Sequence, residues 1–298
     1  MTRRLLSAGL LAFALGAAPA RGELRAETFL APSLGQSVRY VVDLPPSYAA
    51  PGDKHYPVVY ALHGLFEGEG FWERRGLAAI LARLREQGTV RDFLVVAVDG
   101  GNSFFVNGRL GAYQDLVTRD IVAEVESRYR VVPGRAGRAL LGVSMGGYAA
   151  LRIAFAEPGR FLAVATHSAM LLETIPNATE GAGRWQMSAL EAAFGSPIDN
   201  ERWAAADPLR LVERVDKAEA PALYFDCGAG DRYGLAAGQQ RLDQKLTVRG
   251  LPHTTELAPG DHGYEFVKSR LETSLLFLDR ALGAVSVPER GGDRRLVK

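Results

Sequence analysis

The stretch that decides the fold is Leu141-Gly142-Val143-Ser144-Met145-Gly146-Gly147. A basic, glycine-containing turn at 133–137 and a short apolar run at 139–143 lead into it, and the small and aliphatic residues 148–154 lead away as a helix. The pattern is strand, sharp turn and helix, with G-x-S-x-G at the bend. A turn this tight strains the serine backbone, and Gly142 and Gly146 avoid side chains that would strike the strand or the helix. The hydroxyl is then held at the carboxyl end of a strand, beside a helix N-terminus whose free N–H groups favour developing negative charge. Glycine and serine in an idle loop are the plainer reading, but the strand before and the helix after favour a nucleophile.

The same alternation of buried runs and helices continues on both sides. Upstream, 27–30 and 37–44 alternate polar and apolar residues across Ser33-Leu34-Gly35-Gln36 and read as an antiparallel pair at a sheet edge. Two continuous apolar runs, 56–62 and 93–98, read as strands buried on both faces. Helical patterns follow at 73–87 and 113–129. Downstream come a strand at 161–166, an irregular stretch at 170–207 that reads as an insertion over the site, a strand at 222–226 and a helix at 235–249. A final strand at 253–257 and a last helix at 265–282 complete the pattern. The expected fold is α/β, a mostly parallel central sheet with helices on both faces, whose chemistry gathers at the carboxyl ends of the strands.

Composition bounds the rest. With 298 residues, 47% hydrophobic, the chain can bury one large core, expected as a single unit over 21–284. Residues 1–20 combine Thr2-Arg3-Arg4, an uncharged apolar run from 5 to 17 and Ala18-Pro19-Ala20, a secretory signal with a small-x-small cleavage site. The protein is therefore expected to be exported, to a periplasm or beyond, with no membrane span. Loss of Arg3 and Arg4 leaves 33 basic residues against 34 acidic, a balance that offers nucleic acid no electrostatic footprint. Cys227 is the only cysteine, so no internal disulfide can form, and it reads as a buried strand residue. The polar, glycine-containing tail at 285–298 is expected to be disordered.

A serine hydroxyl becomes a nucleophile when a histidine takes its proton and an acid fixes that histidine's tautomer. Of five histidines, His262 lies in the turn between the final strand and the last helix, which makes it the base. His253 starts a strand at the wrong end of the sheet, as does His55; His63 and His167 precede every candidate acid, and His63 reads as a brace for its loop. Asp231 follows the penultimate strand in a flexible loop and is the acid, with Asp226 the alternative and Asp261 the last choice. The amides of Met145 and Leu65, with Phe66 as fallback, are the candidate oxyanion donors. Among loop aromatics, Phe66, Trp72 and Trp203 are candidate substrate contacts, and Asn102 either hydrogen-bonds substrate or caps its loop.

Together, His63-Gly64-Leu65, Asp99-Gly100 with Asn102-Ser103-Phe104, Tyr113-Gln114-Asp115-Leu116, Gly142-Val143-Ser144-Met145-Gly146-Gly147, Phe194-Gly195-Ser196, Asp207-Pro208-Leu209, Cys227-Gly228 with Asp231, and Gly260-Asp261-His262 resemble the putative-esterase family of α/β-hydrolases. That family includes S-formylglutathione hydrolases, feruloyl and acetyl xylan esterases, and mycolyltransferases. The resemblance implies an α/β-hydrolase fold, a triad of Ser144, Asp231 and His262, and an oxyanion hole at Leu65 and Met145. The expected activity is a serine carboxylesterase needing no cofactor or metal, with a small-molecule or saccharide-linked ester as substrate. An acyltransferase and a non-catalytic binding protein of the same fold are the alternatives. An export signal sets the chain apart from the cytosolic S-formylglutathione hydrolases, and an aspartate acid from the mycolyltransferases.

Overall fold

In the computed structural model, residues 22–175 and 184–284 are described. The expected signal at 1–20 and the tail at 285–298 lie outside them. The alternating stretches near the start form β1 (Glu23–Ala31) and β2 (Gln36–Leu44), paired antiparallel around a turn whose Gly35 has φ 63°. The apolar runs become β3 (Val58–Leu62) and β4 (Leu94–Val98), every residue of each buried. Between them lie α1 (Phe71–Arg74) and α2 (Leu77–Glu86). The sequence pattern predicts one helix here, but Gly76 takes φ 82° and breaks it in two.

A two-residue ladder, β5 (Asn107–Gly108) with β6 (Gly111–Ala112), precedes α3 (Tyr113–Asp115), which passes through a π-helical turn, Leu116–Asp120, into α4 (Ile121–Arg128). The centre follows as β7 (Arg138–Val143), α5 (Met145–Ala156) and β8 (Ala163–His167). Among its described residues, the stretch expected to be irregular carries α6 (Arg184–Phe194) and α7 (Asn200–Ala206), and α8 (Pro208–Leu211) follows directly after it. Two of them start on side-chain caps: Asp199 accepts from the Glu201 and Arg202 amides, and Asp207 from Leu209 N at 2.8 Å. The chain then runs through β9 (Ala222–Gly228), α9 (Leu235–Arg249), β10 (His253–Ala258) and α10 (Tyr264–Gly283).

Among the described residues, eight strands form one sheet in the order β1-β2-β4-β3-β7-β8-β9-β10. The β1–β2 and β2–β4 pairs are antiparallel and all others parallel. Alternate side chains of the central strands feed two cores, as a period of two requires. Val59, Ala61, Val95 and Leu141 meet Leu81 of α2 and Leu271 of α10 on one face. On the other, Tyr60, Leu62, Val96 and Leu140 meet α4, α5 and α9. With helices covering both faces, the parallel strands are buried and only their carboxyl ends open to ligand.

Candidate active site

Ser144 stands between β7 and α5 at φ 53° and ψ −114°, a conformation sparsely populated for any residue with a side chain. What holds it there is backbone: Ser144 N donates to His167 O (3.0 Å), and its carbonyl accepts from Tyr148 N (2.9 Å) and Met170 N (3.0 Å). The neighbouring glycines leave no alternative. A Cβ on Gly142 would lie 2.3 Å from Gly146 O, and one on Gly146 2.2 Å from Leu62 O. Gly64 is less constrained, because its Cβ would meet Ser144 Cβ at an ordinary 3.7 Å.

The loop after β9 and the loop after β10 meet beside this turn. Gly230 N donates to Gly260 O (2.9 Å), and Arg232 N donates to Asp261 Oδ1 (2.8 Å), which also accepts from His262 N (2.6 Å). Asp261 is thus a clamp between the loops, reinforced by an ion pair with Arg232 that pushes its carboxyl down to about 2. Within the clamp, His262 Nδ1 donates to Asp231 Oδ2 at 2.8 Å. A carboxylate can only accept, so Nδ1 carries the hydrogen and Nε2 is left with a lone pair. Asp231 Oδ1 accepts from Tyr233 N (3.0 Å), and Oδ2 also faces the Cys227 thiol at 3.4 Å. Burial alone pulls this carboxyl upward, but the His262 bond and charge, the Tyr233 amide and the thiol together hold it below its ordinary value. Burial, with the Asp231 charge added, pushes the Cys227 thiol up to about 12.

Ser144 and His262 line one cavity of about 360 Å³, whose floor and walls include Leu65, Phe66 and Met145. Met145 is the first residue of α5, so the helix cannot pair its amide. The fallback donor, Phe66 N, is taken: Asn102 Oδ1 accepts from it at 2.8 Å. Asn102 therefore holds the loop after β3 and does not line the cavity, so of its two candidate roles the substrate contact falls away. Two other expectations need correction for the same reason, since neither tryptophan lines the cavity. Trp72 is 1% exposed and packs edge-on against Phe71, and Trp203 packs on Phe194 at 5.1 Å. Each indole buries a large apolar surface, and the core claimed both. Phe66 does line the cavity, in a loop where it adopts φ 62°.

His63 behaves as a brace. It is fully buried, its Nδ1 donates to Gly64 O (2.7 Å), and its Nε2 accepts from Gly100 N (3.0 Å), tying the loops after β3 and β4. Burial pulls its pKa down, which keeps the ring neutral for both bonds. Asp226 is buried too, facing His167 and Tyr224 in the packing layer and not the cavity. Met170, Leu172, Leu190, Tyr233, Leu235 and Tyr264, which no sequence motif marks, supply much of the cavity wall. Proximity was a signal for two of them: Tyr233 follows Asp231 by two residues and packs its ring 4.7 Å from that of His262, and Tyr264 follows His262 by two. Among the described residues, no group of three or more His, Cys, Asp and Glu side chains could hold a metal ion, and no helix is long and apolar enough to cross a membrane.

A mostly parallel sheet, a strained serine at a strand–helix turn and a histidine–aspartate pair delivered by later loops define the chain as an α/β-hydrolase. Residues 31–278 match the family model described as "Putative esterase", and the chain belongs to that family. Among curated relatives, Esterase Rv1288 of Mycobacterium tuberculosis is 25% identical over 82% of this chain and 56% of its own length. An endo-1,4-beta-xylanase/feruloyl esterase of Xylanibacter ruminicola is 27% identical over 47% of this chain and 20% of its own. The chain thus spans about half the length of the first of these relatives, and less of the second. A solved ferulic acid esterase superposes with a TM-score of 0.74 at 26% identity, covering 88% of this chain and 99% of that one. An S-formylglutathione hydrolase from Agrobacterium tumefaciens shares the fold, with a TM-score of 0.69 at 20% identity over 91% and 99% of the two chains.

Proposed function

We propose that the protein is an exported serine carboxylesterase that works through an acyl-enzyme. The observation that carries this reading is the His262–Asp231 bond of 2.8 Å at the edge of the cavity that Ser144 lines. His262 Nε2 takes the proton as Ser144 Oγ bonds to the ester carbonyl carbon, and the carbonyl oxygen becomes an oxyanion facing the amides of Leu65 and Met145. Collapse of that intermediate breaks the bond to the alcohol oxygen, which receives the proton from Nε2. Water then repeats the sequence: it gives a proton to Nε2, attacks the acyl carbon and releases the acid and the free serine.

Family membership supports ester chemistry, and the likeness to a ferulic acid esterase supports testing feruloyl esters beside simple alkanoyl ones. Export rests on residues 1–20, and N-terminal sequencing of secreted protein is expected to begin at Arg21. For the chemistry, Ser144→Ala is expected to lower kcat on p-nitrophenyl esters by a factor on the order of 10³ or more, with KM little changed. A fluorophosphonate probe should label Ser144 in the unaltered protein. Retention of most activity by the alanine variant, or no labelling at Ser144, refutes the assignment.

A further inference from the structure

A further grouping of serine, histidine and aspartate is sealed from solvent, away from the cavity. His167 and Asp226 are fully buried, as is Ser274. His167 Nδ1 donates to Asp226 Oδ1 at 2.9 Å, and Ser274 Oγ lies 3.0 Å from His167 Nε2 and 2.9 Å from Leu271 O, so its single hydroxyl hydrogen is shared between the ring and its own helix. Asp226 Oδ2 accepts from Tyr224 Oη (2.6 Å) and Arg270 Nε (3.2 Å), and Arg270 reaches on to Tyr224 Oη (3.0 Å) and Glu256. None of these groups lines the cavity, so none can meet substrate.

Where the groups are attached matters more than their chemistry. His167 ends β8, level with Val143 of β7, and its carbonyl accepts the Ser144 amide. Asp226 sits on β9, the strand that leads to Asp231, and its carbonyl accepts Ser168 N at 2.7 Å. Ser274 and Arg270 sit on α10, which begins two residues after His262. His167 therefore touches the nucleophile turn through its backbone carbonyl, and the strand before Asp231 and the helix after His262 through its ring. Buried polar groups of this kind are costly unless fully paired, and once paired they admit a single arrangement.

We propose that His167 is a positioning residue: by bridging Asp226 on β9 and Ser274 on α10, it sets where Ser144 and His262 stand relative to each other. This rests on the serine-esterase reading of the site. Its energetic logic is that of an outer layer of hydrogen bonds around reacting groups, where a misplacement of about 1 Å can cost on the order of 100-fold in rate.

The test severs the bridge without stranding Asp226. His167→Asn keeps a side-chain N–H for Asp226 and loses the arm to Ser274, and Ser274→Ala removes the other end. Both variants are expected to stay folded by circular dichroism, to lose about 10- to 100-fold in kcat on a p-nitrophenyl ester, and to keep KM. Fluorophosphonate labelling of Ser144 should slow in parallel. Because both substitutions break one link, the double variant should lose little more than either single one. Folded variants with unchanged kcat and labelling rate, a loss confined to KM, or fully additive losses would each overturn the proposal. Failure of the unaltered protein to label at Ser144 would instead overturn the esterase reading on which it stands.

Discussion

On the proposed mechanism Asp231 must do two things, fix the His262 ring and remain charged although its side chain is buried. Its two oxygens accept from His262 Nδ1, Tyr233 N and the Cys227 thiol, and these outweigh the pull of burial. Asp231→Asn offers His262 either an amide donor or a weaker acceptor, so the ring loses its enforced tautomer. A fall in kcat on the order of 10⁴ is expected, read against p-nitrophenyl esters near neutral pH. The same carboxylate has a signature in stability. Its folded pKa is depressed, so its contribution is complete above the ordinary carboxylate range of about 4 and is lost as pH falls through the lower folded value. Melting temperatures measured from pH 6 down to pH 3 should therefore fall less steeply in Asp231→Asn than in the unaltered protein. As candidates, Ser144 and His262 were legible from motif and chain order, whereas Asp231 ranks above Asp226 because it follows the strand in a loop and does not sit within it. The thiol behind Asp231 was not legible, because Cys227 reads as strand filling until the loop after β9 folds back over it.

At the scale of the element, the β7–α5 turn is where sequence and geometry constrain each other most tightly. Gly146 faces the carbonyl of Leu62, a residue of β3 whose position is fixed by pairing to both β4 and β7. A methyl group there has nowhere to go, since the obstacle is backbone in the middle of the sheet. Gly146→Ala is expected to cost about 3 kcal/mol or more, measured by denaturant unfolding. Gly159→Ala is the control, because a Cβ there meets nothing within 4 Å, and its midpoint should stay close to that of the unaltered protein. The G-x-S-x-G signal was readable for this same reason: the constraint is local and lies within a few residues of chain. The break at Gly76, the π-helical turn at Leu116–Asp120 and the helices α6 to α8 were not. Hydrophobic periodicity tolerates an extra or missing residue in a helix, and short helices capped by Asp199 and Asp207 resemble turns in composition. The same limit explains Trp72 and Trp203, whose loop-like neighbourhoods concealed their burial in the cores of the folded chain.

For the whole molecule, the question is how much of an ester the site can enclose. The cavity of about 360 Å³ stands at the small end of the range for ligand sites, about 300–1,000 Å³, and on the proposed esterase reading it would hold the acyl group and part of the alcohol together. Its wall is mostly apolar, with Leu65, Met170, Leu172, Leu190 and Leu235 among the contributors. Charge enters through Glu67 and Arg75, which pair with each other at 3.0 Å and offer an ester no unbalanced field. Selectivity among simple alkanoyl esters should therefore follow apolar burial. Each methylene that the wall covers contributes about 0.8 kcal/mol, or about fourfold in kcat/KM. In a series of p-nitrophenyl esters from acetyl upward, kcat/KM is expected to climb by about that factor per carbon, turn over when the enclosed space is full, and be low for palmitoyl. Steady-state kinetics below the micelle concentration of each ester would measure it. A rise that continues unbroken to palmitoyl would mean that the acyl chain leaves the cavity and runs across the protein surface, and that the enclosed volume does not set the substrate.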